Sequence, residues 1–364
     1  NNTNNVNNTN NTAGRPWVMG YYVGYQSTLL PADQIDFAHM SHIAMGAVLP
    51  NADGTLETHF YLTPETGPVL AEEVATRARA AGVVPILMLG GAGTREGFVG
   101  AASEANLETF VSNLLATMDA LGYDGIDLDW EPVLAEDEPR IAALITALRA
   151  QRPGIVLTMP VGWVNANATG DLSLYTQIAP DLDQINLMTY GMSGAWGGWT
   201  VWHSSALTGE TATAPSSVAS SVEAYRAAGI PAQKLGVGAG FYGQCWAGGA
   251  TAPGQEVGVS WVAAVDSQMS YTIVMDAYFL AGEALYDTTA AAPYLSFSSP
   301  AGTHACTFIS YENVQSLTEK GQYVRDHELG GVIIWTLNQG VMPDAPEGER
   351  NPLLQALAEA LWAQ

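Results

Sequence analysis

From Trp17 onward, short and nearly continuous apolar runs recur at 17–23 (WVMGYYV), 42–48 (HIAMGAV), 83–89 (VVPILML), 124–131 (DGIDLDWE), 155–161 (IVLTMPV), 184–190 (QINLMTY), 234–240 (KLGVGAG) and 331–337 (GVIIWTL). Runs of this length without clean polar alternation read as strands covered on both faces. Between them the period changes to that of a helix. Leu107, Phe110, Val111, Leu114, Leu115, Met118 and Leu121 form one stripe at i, i+3, i+4, i+7, i+8, i+11 and i+14. Further helices are predicted near 69–81, 137–151, 215–228 and 314–328. A last one opens on the capping pair Asn351-Pro352 and runs to about 363. Eight such strands alternating with helices imply a parallel sheet clothed in helices. In 364 residues, closure into a (β/α)8 TIM barrel over 15–363 is the leading α/β reading, and a doubly wound open sheet is the alternative. The spacing breaks once. Residues 245–305, with β-prone pieces such as Ser270-Tyr271-Thr272-Ile273-Val274-Met275, are expected to form a small α+β subdomain inserted between strands seven and eight.

The fourth run departs from the apolar rule. In an extended strand Ile126, Leu128 and Trp130 project one way, and Asp127, Asp129 and Glu131 the other. Same-face neighbours lie about 7 Å apart along a strand, so three carboxylates in a barrel interior cannot all ionise, and at least one pKa must rise. Barrel enzymes keep their chemistry at the C-terminal strand ends, where Glu131 sits. It is thus a candidate general acid. Carboxylates that share one strand face are poorly placed to attack from the opposite side, so any nucleophile has to come from elsewhere, the substrate included. A Ca²⁺ or Mg²⁺ site is the weaker reading, because the neighbouring loops supply few further acidic ligands in a recognisable spacing.

Composition narrows the partners. Lys+Arg number 12 against 36 Asp+Glu, a net charge of −24, which repels nucleic acid and anionic membranes alike. No run of eighteen uncharged apolar residues is present. Cys245 and Cys306 are the only cysteines. They are either two buried thiols or a disulfide, which would close a loop of about 60 residues and require an oxidising compartment. Neither they nor the six histidines give a metal-ligand spacing, and no metal or cofactor is expected. Residues 1–14 (NNTNNVNNTNNTAG) are low-complexity and lack core-forming side chains. They read as a disordered tail or the stub of a linker.

Two motifs fail on context. Gly238-Ala239-Gly240-Phe241-Tyr242-Gly243 matches GxGxxG, but it ends a late strand and opens no helix. Gly191-Met192-Ser193-Gly194-Ala195 lacks the last glycine of a nucleophile elbow. The tryptophans carry more weight. Trp196, Trp199 and Trp202 follow strand six, Trp163 follows strand five, and Trp335 lies in strand eight. Any single one is best read as core, but five at barrel-mouth positions suit stacking on sugar rings.

With these residues in view the chain resembles the family 18 glycoside hydrolases, the chitinases. Asp124, Gly125, Asp127, Asp129 and Glu131 fit the DGxDxDxE signature. Gly20-Tyr21-Tyr22, Gly90-Gly91, Asn186-Leu187-Met188-Thr189-Tyr190, Phe241-Tyr242-Gly243, and Phe308-Ile309-Ser310-Tyr311 followed by Gly330–Trp335 are similar to its other strands. One subgroup of the family carries an α+β insertion at the place of 245–305. The resemblance implies that Glu131 protonates the glycosidic oxygen and that Asp129 holds the substrate's acetamido group while its carbonyl attacks the anomeric carbon. By the same resemblance Asp127 shares a proton with Asp129, Tyr190 hydrogen-bonds the acetamido carbonyl, and Trp335 floors the sugar. Tyr21, Met188, Trp196, Trp202 and Tyr242 join Trp335 as expected substrate-binding residues. The substrate would be chitin or chito-oligosaccharide, and the protein a secreted monomer, its Asn/Thr tail leading to a carbohydrate-binding module. A non-catalytic lectin on this scaffold would usually lack Glu131, and an N-glycan-cleaving endo-β-N-acetylglucosaminidase is the nearer rival. Four positions depart from the pattern. Met88 replaces a frequent Ser, Ala92 a Trp, Gly191 an Asp and Gln244 an Arg.

Overall fold

The structure is a computed structural model that describes residues 15–363. The low-complexity stretch 1–14 lies outside the described residues. Eight parallel strands form the frame: Trp17–Val23, His42–Pro50, Val84–Gly91, Gly125–Trp130, Val156–Gly162, Gln184–Met188, Leu235–Gly240 and Gly331–Trp335. Each pairs with its sequence neighbour. The first also pairs with the eighth, Trp17 beside Gly331 and Gly20 beside Ile334, so the sheet closes on itself. All eight lie where the apolar runs predict them, and the fold is the (β/α)8 barrel rather than the open sheet.

The helices follow from the same periodicity. Leu107–Leu121 buries Phe110, Val111, Leu114, Leu115 and Met118 and stops at Gly122, whose φ of 80° supplies the left-handed turn that ends many helices. Gly67–Ala80, Glu138–Gln151, Val218–Ala227, Val314–Asp326 and Pro352–Trp362 complete the predicted set. Two short helices, Arg95–Ala101 and Ser173–Ile178, were outside it. The side chain of Asn351 makes no capping bond to the last helix. That helix is anchored at its far end instead. The Trp362 indole N–H donates to the Pro16 carbonyl at 2.9 Å, and the Arg15 guanidinium lies 3.5 Å from the centre of the Trp362 ring. Lys234, just before the seventh strand, donates to the carbonyls of Ala179 and Leu182, both at 2.6 Å, and so pins the turn that leads into the sixth.

The insertion is a five-stranded antiparallel sheet in the order Trp261–Ser270, Tyr242–Ala247, Cys306–Ser310, Ala292–Ala301, Glu283–Asp287. A short helical segment from Tyr271 to Tyr278 leads out of its first edge strand. The sheet takes in 242–310, a wider span than 245–305, because Tyr242 opens its first strand only two residues beyond Gly240, the end of the seventh barrel strand. Cys245 and Cys306 form a disulfide with Cα atoms 5.4 Å apart, joining two hydrogen-bonded strands of this sheet across 61 residues of sequence. A loop of that length is worth about 4 kcal/mol in the chain-entropy account. No helix among the described residues is long and apolar enough to cross a membrane.

Candidate active site

The parallel register sets the depth of each acid in the barrel. Asp127 lies beside Met88 of the third strand and Thr158 of the fifth, and Asp129 lies one step outward beside Gly90. Glu131 is the first residue past the strand. Asp127 is fully buried, Asp129 is 4% exposed and Glu131 is half-buried, so the row runs from the interior to the mouth. The glycines at the end of the third strand make the close approach possible. Gly90 and Gly91 have φ of 97° and 121°, and a Cβ on Gly90 would collide with the Asp129 carbonyl and the Phe98 ring.

Each carboxylate has a different environment. Asp127 accepts from the Tyr21 hydroxyl at 2.7 Å on one oxygen and from the Thr158 hydroxyl on the other. Burial pushes its pKa up to about 6, and these two donors pull against that rise. No cation among the described residues contributes. Met88, standing where the family often has Ser, leaves Asp127 to be held by Tyr21 and Thr158, and Thr158 was not anticipated from the sequence. Its signal is positional: it faces Asp127 across the register of adjacent inward positions.

Asp129 is raised well above the ordinary carboxylate range by burial, then by the charges of Glu131 and Asp127. Glu131 is also raised, again first by burial. The two carboxyls act on each other, Glu131 helping to raise Asp129, and they titrate as a pair. The second oxygen of Asp129, Oδ1, is buried without a partner among the described residues. An oxygen in that state is costly unless something else donates to it.

The Asp127 charge raises Asp129, so removing it has a predictable sign. In Asp127→Asn the Asp129–Glu131 pair loses its proton at lower pH. The alkaline limb of the kcat/KM–pH profile should therefore move acidward by roughly one pH unit. An unmoved or alkaline-shifted limb would contradict the coupling.

The main chain at Glu131 is held firmly, while its side chain is only half-buried. Arg95 N–H donates to the Glu131 carbonyl at 3.2 Å. The Arg95 guanidinium then grips both oxygens of the fully buried Asp137, at 2.8 and 2.9 Å, and the Asp137 carboxylate takes the Leu134 N–H at 3.0 Å. The loop leaving the fourth strand is thus tied to the helix Arg95–Ala101 by a bidentate charge pair. Sequence reading missed both residues, because partners 42 positions apart in unrelated segments leave no local pattern.

The expected aromatic residues sort into three places. Tyr21, Met188, Tyr190 and Trp335 share one apolar cluster with Met88 around the acids. The rings of Tyr21 and Trp335 are 5.5 Å apart, and Tyr242 meets Tyr190 edge-on at 6.2 Å. Burial raises Tyr190 and Tyr21 well above the ordinary phenol range, helped by the nearby acids, so both are hydroxyl donors. The Trp335 indole donates to Asp266 Oδ1 at 3.2 Å, and Gln339 donates to the same oxygen at 2.6 Å. Asp266 comes from the insertion, where nothing in its local sequence marked it, and it fixes the plane of Trp335.

Trp196 lies in a second group, 43% exposed, with ring centres 4.7 Å from Trp199 and 5.9 Å from Trp163. Trp202 is a correction. Its ring is buried among Ala206, Ala214, Ala290 and Ala292, and its N–H is spent on the Ser216 carbonyl at 3.0 Å, so it is a packing residue with no face to offer a ligand. Ser193 of the near-elbow motif donates to Gln244 Oε1 at 2.5 Å, and the Gln244 amide returns a bond to the Ser193 carbonyl at 2.7 Å. Gln244, where the family carries Arg, therefore staples the loop after strand six to the insertion.

Comparison with known proteins agrees with this geometry. The profile of "Glycosyl hydrolases family 18" matches residues 17–340. Chitinase A1 of Niallia circulans is 28% identical over 292 residues, covering 70% of this chain and 39% of that protein. A probable endochitinase of Caenorhabditis elegans is 28% identical over 290 residues, covering 72% of this chain and 45% of that one. This chain thus spans less than half the length of either relative. Among solved structures, the Group IV chitinase of Ostrinia furnacalis in complex with allosamidin superposes with a TM-score of 0.80 at 23% identity, over 95% of this chain and 98% of that one. A chitinase of Cycas revoluta in complex with (GlcNAc)3 gives 0.77 at 21% identity, over 94% of this chain and 99% of that one. At these identities the structures speak for the fold alone.

Proposed function

We propose, from the premise that this chain belongs to the family 18 glycosyl hydrolases, that it is a chitinase cleaving β-1,4 bonds between N-acetylglucosamine units with retention of configuration. The observation that carries the reading is the graded carboxylate row, buried at Asp127 and Asp129 and half-open at Glu131, with both outer carboxyls raised above their ordinary range by burial. Glu131 gives its proton to the glycosidic oxygen as the bond to the anomeric carbon breaks. The substrate's own acetamido oxygen forms the new bond to that carbon, giving an oxazolinium ion, the substrate-assisted exception to the two-carboxylate rule. The unpartnered Oδ1 of Asp129 accepts the acetamido N–H, which orients the attacking oxygen, and the Asp129 charge stabilises the cationic ring. The Tyr190 hydroxyl steers the acetamido carbonyl, and Trp335, held by Asp266, floors the reacting sugar. Water, deprotonated by the Glu131 carboxylate, then opens the oxazolinium from the face the leaving group vacated and restores the acid. Asp266 is not read as a nucleophile, because one of its oxygens is already committed to Trp335 and Gln339.

The disulfide supports a protein released to an oxidising exterior, where it would act as a monomer on polymeric chitin or its oligomers. A product time course on the hexamer of N-acetylglucosamine, with anomers resolved, tests the reading. The β-anomer should appear first, and the fully deacetylated oligomer should not be cleaved. Initial α-anomer, or turnover of the deacetylated chain, would sink it.

A further inference from the structure

Behind Tyr190 lies a buried charge pair that the mechanism above does not use. Lys320, on the helix Val314–Asp326, is 1% exposed and is paired with Glu312, 3% exposed. The second oxygen of Glu312 takes the Ser316 hydroxyl at 2.6 Å. The Lys320 ammonium also donates to Ser205 twice, to its carbonyl at 2.8 Å and to its hydroxyl oxygen at 2.7 Å. An ammonium can only donate, so the Ser205 hydroxyl must accept from it and send its own proton elsewhere. It sends it to the Thr189 carbonyl, 2.5 Å away, the peptide unit that enters Tyr190.

The other side of Tyr190 is held in parallel. Gly191 N–H donates to the Ser204 hydroxyl at 3.2 Å, and Ser204 N–H in turn donates to Ser310 of the insertion at 2.9 Å. Thr189 itself is locked onto the seventh strand, its hydroxyl donating to the Gly238 carbonyl at 3.0 Å and accepting Gly238 N–H at 2.8 Å. A buried ion pair is usually no better for stability than a well-packed apolar pair. This one instead dictates the direction of a hydroxyl that meets the chain one residue from the phenol.

We propose that Lys320, held by Glu312, is a positioning residue for Tyr190: it orients the Ser205 hydroxyl onto the Thr189 carbonyl and so fixes the backbone from which the Tyr190 phenol reaches the acetamido group. The proposal rests on the role given to Tyr190 under Proposed function. A double-mutant cycle on the N-acetylglucosamine hexamer tests it, with thermal unfolding read alongside. Ser205→Ala should lower kcat about fivefold to tenfold with KM within about twofold. In the Tyr190→Phe background the same change should cost less than about twofold, because the group it positions is gone. Unchanged kcat in Ser205→Ala, or the same loss in both backgrounds, would overturn the proposal. Wild-type kcat in Tyr190→Phe alone would overturn it too, and that result separately identifies the reading of Tyr190 as the error. If Ser205→Ala does not fold, the double substitution Lys320→Met with Glu312→Met removes both charges together, leaves no unpaired ion and reads the same cycle.

Discussion

Glu131→Gln should lower kcat by about 10²–10⁴-fold while leaving the affinity for chito-oligomers close to that of the native protein. The amide has the shape of the acid and cannot give up a proton, so the leaving oxygen departs unprotonated. The change also removes the charge that lifts Asp129, whose carboxylate then accepts the acetamido N–H without competition. Initial rates on the hexamer, set against calorimetric titration of the same oligomer, separate the two effects. Retention of more than about a tenth of native kcat would refute the role of Glu131 as the acid.

Asp129→Asn should cost about 10²–10³-fold in kcat, the loss typical of removing one electrostatic stabiliser from a preorganised site. Two consequences are combined. The oxazolinium loses the only negative charge its neighbour can supply. In addition, an asparagine amide can present its N–H₂ toward the substrate N–H, a donor facing a donor. The deficit belongs to the transition state, so KM should change far less than kcat. If kcat holds and KM alone rises, Asp129 serves binding only, and the assignment of nucleophilic assistance to the acetamido group fails.

Much of this is legible in the sequence. Strands covered on both faces must be apolar throughout, which made the eight runs visible, and the single acidic face at Asp127, Asp129 and Glu131 violated that rule for a reason of chemistry. The limits have physical causes too. The helices Arg95–Ala101 and Ser173–Ile178 are too short to express a period. Trp202 and Trp196 sit six residues apart in one loop with the same local cues, yet one is buried against alanines and the other is exposed. Side-chain burial is set by tertiary contacts, and residue type does not encode it. Thr158, Asp137, Asp266 and Lys320 were invisible for a related reason. Each acts across a register, a hydrogen bond or an ion pair whose partner lies outside its own element, and such a contact has no regular spacing to read.

The departures at Met88 and Gln244 become intelligible on the same terms. Neither leaves a hole in the site. Asp127 keeps two hydroxyl donors without a serine at position 88, and Gln244 exchanges reciprocal bonds with Ser193 where an arginine would have projected a charge.

The chain's only two lysines are both turned to internal use: Lys234 holds the carbonyls of Ala179 and Leu182, and Lys320 is sealed beside Glu312. Amine-directed reagents therefore meet, among the lysines, only the half-buried Lys234, whose ammonium is already bound to two carbonyls. Coupling this protein to a support or a dye through lysine would fall on Lys234, at the cost of the turn it holds, or on molecules that had opened. Carbodiimide chemistry on its many acidic residues, or thiol chemistry on an introduced cysteine, is the route that keeps the native state. Conversely, acylation of Lys320 followed by peptide mass spectrometry is a clock for global opening. Its rate should fall to that of unfolding itself, and rapid labelling of the native protein would show that the pair is not sealed.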